Sequence, residues 1–432
     1  MRDPLPFALR CYRLASVVAA PAAARLLKRR LKLGKEHPAR LAERCGEPSL
    51  PRPAGPLVWV HGASIGEMLA VIPLIERIRA QDFAVLATSG TVTSAALAGR
   101  RLPTGAVHQF IPLDAPRFVG RFLDHWRPDL ALFVESDLWP NLILGCADRA
   151  IPMILVNGRL SERSFSRWRL VPGAIAALLG RFDLCLTQSS ADAQRYAQLG
   201  APRITSVGNL KLDVPAPPVD QPSLRQLKSL IGARVVIAAA STHTGEESAI
   251  IAAHRRLRAK YPSLLTVIAP RHPARGAAIA QMARTAGLSV ALRSLGEPPK
   301  PDVDIYLADT LGELGLIYRL APIVFMGGSL ASHGGQNPIE AIRLGAAVVH
   351  GPHVWNFAEI YAALDAARGA ELVADEEALT GRLAAWLAKP AARAAIADAA
   401  KAAVEQLSGA LERTLAALEP YLMQLRLEQQ AS

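Results

Sequence analysis

Two loops of this chain set carboxylates beside glycines, hydroxyls and an aromatic ring, each directly after a short apolar run. The first is His61-Gly-Ala-Ser-Ile-Gly-Glu67, which follows residues 57–60. At the mouth of a cleft, Glu67 could accept the proton of an attacking hydroxyl. The spacing Ser64-x-x-Glu67 is also that of a capping box, in which both side chains serve helix-start amides, and spacing alone favours the cap. Gly62-Ala-Ser-Ile-Gly66 further matches the nucleophile elbow of α/β hydrolases. That reading is set aside, because the elbow follows the first strand and residues 1–56 hold no earlier strand to supply an oxyanion loop. The second loop, Glu135-Ser-Asp-Leu-Trp-Pro-Asn141, follows the run 130–134 and reads as site lining or as turn and cap chemistry. Lys211, in Gly208-Asn-Leu-Lys-Leu-Asp213, could face an anion or be a surface lysine.

The second half of the chain supplies features suited to an anion. Pro270-Arg-His-Pro273 follows a strand-like run, so Arg271 can offer a planar fork to a phosphate or carboxylate. Asp309-Thr-Leu-Gly-Glu-Leu314 opens a helix, whose free amides suit phosphate. Gly327-Gly-Ser329 would let backbone approach a ligand closely. In His333-Gly-Gly-Gln-Asn-Pro-Ile-Glu340, Asn337 reads as an N-cap with Pro338 at the first helical position. None matches a Walker loop or a complete G-x-G-x-x-G, yet together they suggest a nucleotide site.

These loops need strands beneath them. Apolar or β-branched runs at 57–60, 84–88, 130–134, 153–156, 184–187 and 204–207 alternate with helical stretches, and a second series follows at 235–239, 265–269, 305–308, 323–326 and 347–350. Strand–helix alternation predicts two doubly wound parallel-sheet domains, with ligands beyond the carboxyl ends of the strands and the interdomain cleft as the natural site. Val214-Pro-Ala-Pro-Pro-Val-Asp-Gln-Pro222 reads as a linker, because its four prolines cannot continue a sheet or helix. The expected organisation is an N-terminal basic segment 1–52, a domain 53–213, the linker 214–222, a domain 223–390 and a helical tail 391–432.

Charge sharpens the first of these. The 432 residues carry a net charge of +12, with 51% hydrophobic and 5% aromatic residues. Residues 1–52 hold 12 Lys and Arg against 4 Asp and Glu, a balance of +8; the other 380 hold 37 against 33, only +4. Basicity confined to one end, with few aromatics for stacking, argues against a nucleic-acid partner. The uncharged run 14–24 has 11 residues, against the roughly 20 that span a bilayer. Arg25, Lys28, Arg29 and Lys32 fall on one helical face and Leu27 and Leu31 on another, an interface-seeking pattern. A signal peptide is the rival reading of 18–24, and a solvated helix the third. Cys11, Cys45, Cys146 and Cys185 are scattered, without zinc-ligand spacing or disulfide density.

His61-Gly-Ala-Ser-Ile-Gly-Glu67, Glu135-Ser-Asp-Leu-Trp-Pro-Asn141, Gly208-Asn-Leu-Lys211, Pro270-Arg-His-Pro273 and Gly327-Gly-Ser-Leu through Gly334-Gly-Gln-Asn-Pro-Ile-Glu340 to Gly351-Pro-His353 and Asn356-Phe357 together resemble the 3-deoxy-D-manno-octulosonic acid (Kdo) transferases of Gram-negative bacteria. The resemblance covers about residues 57–357. It implies a GT-B glycosyltransferase with two Rossmann-like domains facing a cleft, which moves Kdo from CMP-Kdo to the lipid A precursor at the cytoplasmic face of the inner membrane. By resemblance Glu67 falls on the family's catalytic base, and Glu135 and Lys211 on positions stabilising the transition state. Pro270, Arg271, Gly312, Glu313, Leu314, Asn337, Pro338, Ile339 and Glu340 fall on the CMP-binding segments. The donor's phosphate leaves as CMP with cations and helix-start amides at hand, so no cofactor and no metal are expected, and anionic lipids are expected to hold the N-terminus.

Overall fold

The computed structural model describes residues 5–213 and 217–431; positions 214–216 of the expected linker lie outside the described residues. The chain forms two compact units, Met1–Val214 with Ser408–Ser432, and Pro215–Leu407.

In the first unit seven parallel strands, β1 (Leu57–His61), β2 (Ala84–Ser89), β3 (Ala106–Phe110), β4 (Leu130–Val134), β5 (Met153–Gly158), β6 (Leu184–Thr187) and β7 (Ile204–Ser206), lie in the order β3-β2-β1-β4-β5-β6-β7. Side chains alternate across the sheet: Leu57 and Trp59 enter one buried cluster, Val58 and Val60 the other. A strand covered on both faces must be apolar throughout, which is why these strands read as unbroken runs. Burying each such Leu or Val contributes about 1.5–3 kcal/mol. The strand order reverses between β1 and β4, and in doubly wound sheets the crevice for ligands opens at that reversal.

The second unit repeats the plan with β8 (Val236–Thr242), β9 (Leu265–Pro270), β10 (Val290–Leu292), β11 (Ile305–Leu307), β12 (Ile323–Met326), β13 (Ala347–His350) and β14 (Ala370–Leu372), all parallel, in the order β10-β11-β9-β8-β12-β13-β14. Its reversal lies between β8 and β12. The sequence predicted the interior strands of both sheets and the edge strand β7, and missed β3, β10 and β14. All three are edge strands, and a strand with one neighbour carries a weaker apolar signal. In β3 it is further diluted by His108 and Gln109.

The expected tail 391–432 is divided. The helix Pro390–Leu407 packs in the second unit, with Ala397 in its core. The helix Ala410–Ala431 belongs to the first, where Leu415, Leu418, Leu422 and Leu425 join the cluster of Val58 and Val60. Asp213 fixes its start by accepting from the amides of Gly409 (2.8 Å) and Leu411 (2.6 Å). A composition rich in Ala and Leu reports helix but not which core the helix enters.

The N-terminal segment folds as Phe7–Ala19 and Ala23–Lys32, joined by a short 3-10 turn at Pro21. No helix among the described residues is long and apolar enough to cross a membrane. The +8 of residues 1–52 is partly spent inside the protein. Arg30 pairs with buried Glu36 at 2.6 Å, Arg40 grips buried Glu43 at 2.7 and 2.8 Å, and Arg52 reaches Asp129 at 3.1 Å. Leu27, expected on an interface-seeking face, is buried against the protein. The exposed apolar face is another one: Phe7, Cys11, Leu14 and Val18, at spacings of four, three and four.

Candidate active site

At the carboxyl end of β1 the chain turns sharply into the helix Ile65–Arg79, whose N-cap is Ser64. The Ser64 hydroxyl oxygen accepts from the Glu67 amide at 3.3 Å. In return the Glu67 carboxylate accepts from the Ala63 amide at 2.7 Å and from the Ser64 hydroxyl at 2.8 Å. The capping reading of Ser64-x-x-Glu67 is therefore real, with the reciprocal bond reaching one residue further back than in the standard box. It does not exhaust Glu67. Burial raises its carboxyl above the ordinary range and the nearby carboxylates of Glu135 and Asp137 add to the rise, against the opposing hydrogen bonds from Ser64 and Ala63. A carboxylate that gains a proton easily is suited to take one from a hydroxyl.

Glu135 follows β4, on the other side of the reversal. Its φ of 61° lies in the left-handed region, a strain of about 1–3 kcal/mol that clusters at functional sites. The backbone is held from both sides, the Glu135 amide donating to Val156 O at 3.0 Å and the Tyr196 hydroxyl donating to Glu135 O at 3.1 Å. Lys211 Nζ lies 2.5 Å from Glu135 Oε1. The lysine is itself set in place by asparagines: Asn157 Oδ1 accepts from the Leu210 amide (2.9 Å) and Asn209 Oδ1 from the Lys211 amide (3.0 Å). Glu67, Glu135 and Lys211, separated by up to 144 positions in the chain, thus gather at one end of the first sheet.

A pair not singled out from sequence backs this group. His61, fully buried at the end of β1, holds Asp137 Oδ2 through Nε2 at 3.0 Å and Thr88 Oγ1 through Nδ1 at 2.9 Å. Burial alone would raise the Asp137 carboxyl, but the hydrogen bond and charge of His61, with a hydrogen bond from Trp139, hold it below the ordinary range. Both residues stand in the loops already noted; their pairing across 76 positions has no local signature. Asn141, in a loop read as site lining or as turn and cap chemistry, is structural. Its amide group donates to Asp114 O (2.7 Å) and to Ser16 Oγ (3.0 Å), tying the N-terminal helix down.

The other nine predicted residues lie in the second unit, around its own reversal. Pro270 closes β9 in register with Thr242, and the Arg271 amide donates to Thr242 O at 3.0 Å, leaving the Arg271 side chain exposed. Gly312, with φ of 83°, turns the chain into the helix Leu314–Leu320. Glu313 is held by Arg293 at 2.6 and 2.5 Å, which depresses its carboxyl, and by the Thr310 hydroxyl. Asn337 Oδ1 accepts from the Ile339 amide at 3.1 Å, but the short helix runs Ile339–Arg343 with Pro338 as its N-cap, so the expected N-cap at Asn337 and first turn at Pro338 are each displaced by one residue. That helix packs beside Leu314–Leu320, and Glu340 raises the phenol of buried Tyr318 together with the larger effect of burial. Gly312–Leu314 and Asn337–Glu340 are thus neighbours.

The glycine-rich loop after β12 behaves differently from its sequence reading. The carboxylate of Glu246, almost wholly buried, accepts from the amides of Gly328 (2.7 Å), Ser329 (2.9 Å), Leu330 (3.0 Å) and Ala331 (3.2 Å), and from the His243 amide (2.8 Å). An internal carboxylate fills the nest that a phosphate would take. Gly327 is required all the same, since a Cβ there would stand 2.4 Å from Ser241 O. Beyond it the loop is tied by Asn356, which donates to His333 O at 2.9 Å, and by Gly351, which donates to Ser329 Oγ at 2.8 Å. The Gly351-to-Phe357 motif therefore anchors the loop.

The family model described as 3-Deoxy-D-manno-octulosonic-acid transferase (kdotransferase) matches residues 39–214. A 3-deoxy-D-manno-octulosonic acid transferase of Bordetella pertussis is 39% identical over 386 residues, covering 86% of this chain and 89% of the relative. That of Haemophilus influenzae is 35% identical over 396 residues, covering 89% and 91%. A solved glycosyltransferase from Rickettsia africae ESF-5 superposes with a TM-score of 0.58 at 12% identity, covering 86% of this chain and 99% of that one, a likeness of fold.

Proposed function

Since the chain belongs to the 3-deoxy-D-manno-octulosonic acid transferase family, we propose that it transfers Kdo from CMP-Kdo to the lipid A precursor, tetraacyldisaccharide 4′-phosphate, with inversion and with Glu67 as general base. The observation that carries the mechanism is the environment of Glu67, a carboxylate fixed by Ser64 and Ala63 yet raised by burial and by Glu135 and Asp137. An acceptor hydroxyl oxygen forms a bond to the anomeric carbon as its proton passes to Glu67. The bond from that carbon to the phosphate oxygen breaks on the opposite face, and its electron pair leaves with CMP. Lys211, held by Glu135, supplies a fixed positive charge for the charge that develops on reaction. Arg271 and the segments Pro270, Gly312–Leu314 and Asn337–Glu340 hold the CMP moiety. No resident metal or cofactor is part of this proposal.

The proposal is tested by transfer from CMP-Kdo to the tetraacylated precursor, with the product's anomeric configuration read by NMR. Glu67→Gln should lower turnover about 10²- to 10⁴-fold without abolishing CMP binding. Near-normal turnover would leave Glu67 only its capping role.

For location we propose the cytoplasmic face of the inner membrane. The reading is supported by an exposed apolar stripe, Phe7, Cys11, Leu14 and Val18, followed by the exposed cations Arg25, Lys28, Arg29 and Lys32, which suit an anionic lipid surface. Replacing those four cations with serine should weaken binding to phosphatidylglycerol vesicles by at least about a hundredfold and leave CMP binding unchanged. Substitution is the cleaner test than deletion of the segment, because Leu9, Ala23 and Leu27 are part of the protein's buried interior.

A further inference from the structure

Three histidines gather where the strand order of the second sheet reverses. His243 follows β8, His272 follows β9 and His333 lies in the loop after β12, three adjacent strands of that sheet. The rings of His243 and His333 are stacked, centroids 4.2 Å apart and 21° from parallel, and His272 meets His243 edge-on at 6.1 Å. Gln336 Nε2 lies 3.3 Å from His243 Nε2. His272 and His333 are exposed and His243 is half-buried. Among the described residues no three or more His, Cys, Asp or Glu side chains are arranged to hold a metal ion.

Its frame is rigid. Glu246 holds the His243 amide and the amides of Gly328 to Ala331 with one carboxylate. Gly328, Gly334 and Gly335 have φ of 70°, 89° and 74°, and a Cβ on Gly334 would stand 2.4 Å from Asn356. The charged and titratable groups facing His243 are His333, Glu246, His272 and Arg271; burial, His333, His272 and Arg271 depress the imidazole and Glu246 opposes them. Stacked neutral rings are comfortable, whereas two stacked cations repel. An anion seated among the rings would offset that repulsion and favour a proton on His243.

We propose that His243, His272 and His333, with Arg271, form a phosphate-binding cluster that takes up a proton when a nucleotide phosphate binds. The inference rests on the reading of the second unit as the holder of CMP-Kdo and adds to it a place for the phosphate. The donor phosphate is a diester with one negative charge. When its bond to the anomeric carbon breaks, the departing oxygen takes the electron pair and the phosphate gains a second negative charge, which the imidazolium N–H meets.

Calorimetric titration of the full chain with CMP, cytidine and inorganic phosphate at about pH 7.5, in buffers of differing ionisation heat, tests this. At that pH CMP is already a dianion, its second pKa being about 6, so proton uptake reports on the protein. About one proton per CMP is expected, with none for cytidine. His243→Asn and the more exposed His333→Asn should each weaken CMP about ten- to a hundredfold, abolish the uptake and leave cytidine affinity unchanged. CMP binding without proton uptake, or undiminished CMP affinity in both variants, overturns the cluster and leaves the donor reading intact. Failure of wild-type protein to bind CMP or cytidine, with proton-linked binding of inorganic phosphate lost in the variants, overturns the donor reading and keeps the cluster. No binding of any of the three overturns both.

Discussion

The two units share a plan, seven parallel strands with one reversal of order, and put different groups at it. At the first reversal stand three carboxylates, Glu67, Glu135 and Asp137, with one lysine. At the second stand three imidazoles and Arg271, while the carboxylate there, Glu246, is sunk into five amides. A carboxylate left short of donors can move a proton. One saturated with donors can only hold backbone. The difference fits a division in which one unit removes a proton from an acceptor and the other receives an anion.

Changing each glutamate to glutamine breaks this contrast most directly. Glu67→Gln should cost the two to four decades of turnover stated above yet leave the melting temperature at neutral pH unchanged or raised. The folded state favours the protonated carboxyl there, and a neutral amide mimics it while still accepting from Ala63. Glu246→Gln should do the reverse in origin, pointing an NH₂ donor at amides that also donate. We expect a loss of about 2–3 kcal/mol in urea unfolding, with weaker CMP binding as the loop of His333 loosens. If Glu246→Gln proved harmless and Glu67→Gln destabilising, the two carboxylates would have exchanged their assigned roles.

A smaller effect sharpens the comparison through pH. The proposed base works ionised and its folded carboxyl is raised by burial, so turnover under donor saturation should fall on acidification at a higher pH than an ordinary glutamate gives. Asp137→Asn removes one of the charges that raise Glu67 and should move this limb to lower pH. An unmoved limb would take Asp137 out of the account of Glu67.

Most of the frame was legible in sequence because interior parallel strands, buried on both faces, are continuously apolar; β3, β10 and β14 escaped at edges where the apolar run is short or interrupted by polar residues, although the edge strand β7 was found. Glu67 shows a different limit. Its spacing announced a cap, and the cap is there, but nothing in spacing could report the burial and the neighbouring carboxylates that raise it. Resemblance, not periodicity, singled it out. The pairing of His61 with Asp137 and the occupation of the glycine loop by Glu246 span 76 and 82 to 85 positions. Such pairings are products of the sheet order, which local patterns do not encode. The glycines after β12 were read as letting backbone approach a ligand closely, but what approaches them is the chain's own backbone and its own carboxylate.

The helix Ala410–Ala431 carries a consequence for how the protein is made. Leu415, Leu418, Leu422 and Leu425 complete an apolar face of the first sheet, yet they are synthesised only after the whole of the intervening unit. Throughout synthesis of the intervening unit, Pro215–Leu407, the nascent first unit must wait with that face unsealed. Sealing that face cannot precede synthesis of residues 410–425, and a ribosome stalled before residue 410 would display a greasy, half-finished sheet to the cell's chaperones.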